Sequence, residues 1–199
     1  MMQEFLSLAI CYMTTKKIIH EERFNNSTLP ETWAWLREKP NHWRLNNAGL
    51  EIRVEPGLAD SVVNALMISA PDRTTEKYSI EVSVSNLSPP IQQYEQIGIT
   101  WYTDGKPVFK LVKELIDGEL YIIPGRCPIP DTTIHLCLTV GATSWEAAYK
   151  TKEENDFIIA DQGELPSMGR DHISLQCYNG PENEEHWVRF ENFRVTQCN

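Results

Sequence analysis

The amino-acid sequence predicts an all-β domain, a sandwich or jelly roll in which two stacked sheets bury alternate residues of their strands. Residues 50–55 and 78–85 alternate between apolar and polar side chains, which is the period of a half-buried strand. The dipeptides Asp104-Gly105 and Asp117-Gly118 predict tight turns, so residues 96–124 read as a three-stranded meander. About ten short strands with turns between them are indicated, and no segment sustains a helical period of 3.6 residues.

The composition is that of one globular domain with a sizeable core. The chain has 199 residues, of which 41% are hydrophobic and 23% charged. We predict a leader at residues 1–20, whose short apolar run cannot span a bilayer, followed by one domain at residues 21–199. The net charge of −10 argues against nucleic acid or an anionic membrane as a partner. The five cysteines form no C-x-x-C pair, which favours buried thiols in a reducing, cytoplasmic compartment.

The motifs of common enzyme classes are missing from the sequence. The five histidines have no metal-ligand spacing, and no phosphate loop or nucleophile elbow occurs, so we expect no metal and no cofactor. Glycoside hydrolysis needs two carboxyl groups about 5–9 Å apart. The nearest array is Glu114, Asp117 and Glu119, but Glu114 and Asp117 have opposite strand parity and Asp117 begins a turn. The sequence therefore predicts a protein that is not an enzyme.

The six tryptophans allow a different function. The apolar faces of sugar rings stack on aromatic rings, and their hydroxyl groups suit polar side chains. Trp35, Trp43 and Trp101 are therefore candidate ligand-binding residues. The alternative is that these tryptophans pack within the core or at its edge.

Four blocks of the sequence carry a family resemblance. Residues 94–99 and 108–118 form the main block, with further matches at residues 35–43 and 188–195. In order and spacing they resemble the regulation-of-enolase family across roughly residues 22–196. The resemblance implies a concanavalin A-like lectin/glucanase jelly roll. It also implies a cytoplasmic protein that regulates a glycolytic enzyme, enolase, without a defined catalytic activity.

Two positions depart from the family's pattern and weaken a shared ligand site. Val108 stands where the family usually has a tryptophan, two residues before its strand lysine. Residues 150–152 are Lys-Thr-Lys in place of the family's later Ser-Asp-Gly turn.

The main block also contains a candidate site. Lys110 and Glu114 share one strand face, and Gln96 lies on the neighbouring strand, so the three could bracket a polar ligand. The alternative is an ion pair that only holds the sheet together. Three functional hypotheses follow: a regulatory protein that binds a metabolic enzyme such as enolase, a carbohydrate-binding module, and, least favoured, a glycoside hydrolase.

Overall fold

The all-β prediction is confirmed. A computed structural model describes residues 17–46, 49–130 and 132–198, and in this part of the chain it contains fifteen strands and one 3₁₀ turn at Pro40–His42. In chain order the strands are β1 (Lys17–Glu22), β2 (Trp33–Leu36), β3 (Trp43–Asn46), β4 (Gly49–Arg53), β5 (Ala65–Ser69), β6 (Lys77–Asn86), β7 (Gln96–Thr103), β8 (Lys106–Ile116), β9 (Glu119–Ile123), β10 (Cys127–Pro128), β11 (Thr133–Val140), β12 (Ser144–Thr151), β13 (Ile158–Glu164), β14 (Asp171–Tyr178) and β15 (Trp187–Cys198).

The strands form two antiparallel sheets. The seven-stranded sheet has the order β10-β9-β8-β7-β14-β5-β2. The eight-stranded sheet has the order β13-β12-β11-β6-β15-β4-β3, and β1 also pairs with β15. The predicted meander is present as β7, β8 and β9, with turns at Asp104-Gly105 and Asp117-Gly118.

The core lies between the two sheets and is built from alternate residues of the strands. In the seven-stranded sheet β7 contributes Ile97, Ile99 and Trp101, all buried. In the eight-stranded sheet β6 and β11 contribute their own alternate residues, including Ile80 and Leu136. This regular alternation fixes which side chains of each strand point away from the core.

A buried arginine joins loops from both sheets. Arg73 is fully buried and donates from Nε to Asp171 Oδ2 at 2.7 Å. Its other nitrogens donate to the backbone carbonyls of Gly141, Ala142 and Pro166. Asp171 also accepts a hydrogen bond of 2.8 Å from the Thr103 hydroxyl, so the charged pair ties β14 and β7 to these loops.

The first strand begins within the segment predicted as a leader. Residues 17–20, assigned above to the leader, belong to β1 and pair with the end of β15, from Lys17 opposite Gln197 onward. The rest of the predicted leader, residues 1–16, lies outside the described residues. No disulfide joins the four cysteines of the described ranges, and burial raises the pKa of the Cys177 thiol. Within these ranges no helix is long and apolar enough to cross a membrane.

Candidate functional site

The candidate site lies on the side of the seven-stranded sheet that faces away from the core, called the outer face below. Because Ile97, Ile99 and Trp101 point inward, the intervening residues of β7 point outward; they are Gln96, Gly98, Thr100 and Tyr102. Strand pairing places Glu114 opposite Gln96, and Lys110 opposite Thr100. The sequence therefore brings Gln96, Lys110 and Glu114 to one surface, as expected from their parity.

These three side chains form a closed hydrogen-bonded set, the Lys110 network. Lys110 Nζ donates to Gln96 Oε1 at 2.8 Å and to Glu114 Oε2 at 3.0 Å. Gln96 Nε2 donates to Glu114 Oε1 at 3.3 Å and to the carbonyl of Tyr94 at 2.9 Å. The Lys110 side chain is 34% exposed and that of Glu114 is 7% exposed. The network thus offers one partly open cation beside two nearly buried polar groups.

Gly98 allows β7 and β8 to approach closely beneath this network. A Cβ atom at Gly98 would collide with the carbonyl oxygen of Leu111 and lie 2.8 Å from the Cα of Val112. Any side chain would push β8 away from β7 and disturb the pairing that positions Lys110 and Glu114. The Lys110 side chain spans the Gly98–Val112 pair to reach Gln96.

A second polar group, the Gln176 cluster, adjoins the network on β14. Gln176 Oε1 accepts hydrogen bonds from the Tyr102 hydroxyl and from Ser174 Oγ, both at 3.0 Å. Burial raises the pKa of Tyr102, so its phenol stays protonated as a donor. Gln176 Nε2 and Thr100 Oγ1 are also buried, and neither has a hydrogen-bond partner in the part of the chain that the structure describes.

A small cavity occupies the end of the outer face near β2. Its volume is about 270 Å³. The side chains that give it an apolar and aromatic character are Leu36, Met67 and Tyr102, with His172 and Ser69 beside them. Tyr102 therefore belongs both to the cavity wall and to the Gln176 cluster.

The opposite end of the outer face carries a tyrosine between two acids. Tyr121 on β9 lies opposite Glu114, and its hydroxyl donates to Glu119 Oε2 at 2.7 Å. This hydrogen bond to a carboxylate raises the pKa of Tyr121. The guanidinium of Arg126 lies 5.4 Å from the ring centroid of Tyr121. Each of the two carboxylates is thus held by a donor, Glu114 by Lys110 and Gln96, and Glu119 by Tyr121.

The structure separates the candidate tryptophans from the Lys110 network. Trp101 is fully buried between the sheets, so a ligand on the outer face cannot contact it. Trp35 and Trp43 stack on each other with ring centroids 4.8 Å apart and pack against the core. Trp43 Nε1 donates to Glu38. Trp35 also borders the cavity near β2, but it shares the parity of the core residue Trp33 and pairs with the core residue Leu66, so its ring points between the sheets.

Sequence reasoning did not identify Thr100, Tyr102, Ser174 or Gln176 as residues of the outer face. The alternation of β7 could have indicated Thr100 and Tyr102, since they share the parity of Gln96. Ser174 and Gln176 belong to β14, whose pairing with β7 joins segments about seventy residues apart, and the sequence carries no signal for that register. In the described residues no group of three or more His, Cys, Asp or Glu could hold a metal ion.

Comparison with known proteins identifies the fold. No protein-family model matches the sequence, and no curated protein matches it. The GH43 protein BlXynB from Bacillus licheniformis is similar in structure, with a TM-score of 0.70 and 15% identity over 88% of this chain and 38% of that chain. An alginate lyase from a Corynebacterium species has a TM-score of 0.57 and 11% identity over 81% of this chain and 83% of that one. A functionally unknown protein from Saccharomyces cerevisiae has a TM-score of 0.58 and 11% identity over 84% and 97% of the two chains.

These neighbours define a concanavalin A-like jelly roll of two antiparallel sheets, as the sequence predicted. Part of the GH43 chain and most of the alginate lyase chain have this fold. The chain spans less than two fifths of the length of the GH43 and xylosidase chains it matches, and at these identities the likeness concerns the fold alone.

Proposed function

We propose that this chain is a carbohydrate-binding protein without catalytic activity, and that it holds a glycan on the outer face of the seven-stranded sheet. The observation that carries the proposal is the Lys110 network, which combines a cationic donor with amide and carboxylate acceptors. Sugar hydroxyl groups donate and accept hydrogen bonds, and therefore suit such a mixed set. The cavity lined by Leu36, Met67 and Tyr102 adds an apolar surface for a sugar ring.

The hydrogen bonds and the burial of Glu114 favour glycan binding over glycan hydrolysis. A hydrolase needs one carboxyl group as an acid and another as a base or nucleophile. Here Glu114 is held by Lys110 and Gln96, and it is almost fully buried. A carboxylate that accepts two such hydrogen bonds is suited to orienting a lysine and a glutamine rather than to attacking a sugar.

Calorimetric titration with a panel of neutral and acidic oligosaccharides tests the proposal. Lys110→Met keeps the apolar stem and removes the charged donor, so affinity should fall about tenfold or more, as expected for one charge-assisted hydrogen bond. Lys106→Met is the matched control, because Lys106 is an exposed lysine on the same strand. Absence of binding to every oligosaccharide, or equal affinities for the two variants, would contradict the proposal.

Binding of a protein partner is a second candidate function, and the sequence assigns it to the same residues. Gln96, Lys110 and Glu114 all lie in or beside the blocks that resemble the regulation-of-enolase family. In this role the protein would bind enolase in the cytoplasm and alter its activity. Surface plasmon resonance with immobilised enolase, together with an enolase assay, tests this. Binding that Lys110→Met weakens and Lys106→Met preserves would support it, and no binding to enolase would remove it.

A further inference from the structure

We propose that Thr100 and Gln176 form a buried acceptor-binding subsite, so that the ligand crosses the strands of the outer face from Lys110 to the cavity beside Trp35. This inference rests on the proposed carbohydrate-binding function and adds two specificity-determining residues and a direction for the bound chain.

The first argument is the lack of partners for two buried polar atoms. Gln176 Nε2 and Thr100 Oγ1 have no hydrogen-bond partner among residues 17–46, 49–130 and 132–198. Buried polar groups in native proteins are almost always paired, because an unpaired one keeps the full cost of leaving water. Both atoms belong to the same face as Lys110 and lie on adjacent strands. A ligand oxygen placed between them would satisfy both.

The second argument is the chemistry of the Gln176 amide. Its oxygen is already used by the hydroxyl groups of Tyr102 and Ser174, which leaves the amide nitrogen as a donor. A donor in this position selects a ligand group that accepts, such as a sugar hydroxyl or ring oxygen. The two hydroxyl donors hold the amide in this orientation.

The third argument is the register of the strands. Lys110, Thr100, Ser174 and Met67 pair in a single row across β8, β7, β14 and β5. Neighbouring strands are about 4.8 Å apart, so this row extends for about 14 Å and ends beside the cavity that Met67 lines. A single sugar ring cannot contact both ends of the row, whereas an oligosaccharide laid across the strands contacts all of it.

The flanking side chains allow a ligand to enter. Lys110 and Met67 border the row at its two ends, and both are long and unbranched. Such side chains change rotamer readily, and the Lys110 head is already partly exposed. Thr100 and Gln176 are themselves buried, so the proposed subsite requires side chains over the row to change rotamer when the ligand binds.

Calorimetric titration of a series of oligosaccharides of increasing length, drawn from the glycan class that binds best, provides the test. Affinity should rise with length until the ligand spans the row, and then level off. Thr100→Val keeps the shape of the side chain and removes only the unpaired hydroxyl. It should weaken the binding of the long ligands about tenfold without lowering the melting temperature.

Ser79→Ala is the control variant. Ser79 Oγ is also buried and without a partner in the described part of the chain, but Ser79 lies on β6 in the other sheet. Its substitution should leave every affinity unchanged. Gln176→Glu keeps the acceptor oxygen, replaces the donor by a second acceptor, and should weaken the long ligands as Thr100→Val does.

The outcomes separate this inference from the proposed function. Suppose that Lys110→Met weakens binding while the Thr100→Val variant binds oligosaccharides of every length as tightly as the unsubstituted protein. The acceptor subsite is then wrong and the carbohydrate-binding function stands. Affinity that is independent of ligand length would overturn the cross-strand path in the same way. If the unsubstituted protein binds no glycan, the proposed function fails and this inference fails with it.

Discussion

At the residue scale, Gly98 determines how closely β7 and β8 pack. Because an added Cβ would collide with backbone atoms of β8, which cannot rotate away, Gly98→Ala should lower the free energy of unfolding by about 1–3 kcal/mol. Denaturant titration measures this. Gly141→Ala is the control, since the nearest atom there is the movable Ser144 hydroxyl at 3.0 Å. Equal losses for the two variants would show that the β7–β8 contact is not the cause.

The pair Arg73–Asp171 is the second position at which one residue decides stability. Asp171→Asn removes the charge opposite a fully buried guanidinium, and should cost about 3–5 kcal/mol of unfolding free energy. Asp104→Asn is the matched change, because Asp104 and its partner Arg170 are 62% and 88% exposed. That pair should contribute less than about 1 kcal/mol. Comparable costs in thermal or chemical denaturation would contradict the argument.

At the scale of elements, β13 is the last strand of the eight-stranded sheet in the described part of the chain. Its exposed residues include Ile158 and Ile159, the latter 59% exposed. An apolar strand at the end of a sheet can pair with a second copy of the chain and is a site of self-association. Ile159→Lys should reduce concentration-dependent light scattering and change the unfolding free energy by less than about 0.5 kcal/mol. Gln162→Lys adds the same charge to the same strand and keeps Ile159, so it should reduce scattering less.

The elements also show how far the sequence predicts this molecule. The meander of β7, β8 and β9 was predictable because its signals are local: alternation within each strand and Asp-Gly dipeptides at both turns. The same alternation placed Lys110 and Glu114 together. The alternation also indicated that Trp101 does not belong to this site, because Trp101 and Gln96 have opposite parity on β7 and cannot both face one ligand.

The part of the site that the sequence did not predict depends on pairing between distant segments. Gln176 meets Tyr102 only because β14 pairs with β7, and Arg73 meets Asp171 only across a separation of 98 residues. Such pairing depends on the packing of the whole core, and local sequence patterns do not predict it. The order of strands in the two sheets was unpredictable for the same reason.

At the scale of the whole molecule, carboxylates and histidines together determine how stability depends on pH. Burial alone would raise the pKa of Glu51, but hydrogen bonds from Arg189, Arg44 and Asn46 outweigh it, and its pKa lies below the ordinary 4.5. The pKa of Glu55 is lowered in the same way, because hydrogen bonds from Lys39 and His42 outweigh the effect of burial. A group whose pKa is lower in the folded state stabilises the fold above its unfolded pKa. This stabilisation is lost as the pH falls through the folded pKa.

Two histidines also lower the free energy of unfolding as the pH falls, but they do so at a higher pH than the carboxylates. Burial lowers the pKa of His20 and His135 below their ordinary 6.5, so the unfolded chain takes up these protons first as the pH falls. The unfolding free energy should therefore begin to fall near pH 6.5 and fall further below pH 4.5. Denaturant titrations across this range measure both steps. His135→Gln should flatten the upper step and Glu51→Gln the lower one, and a stability that stays constant from pH 7 to pH 4 would contradict the assignment.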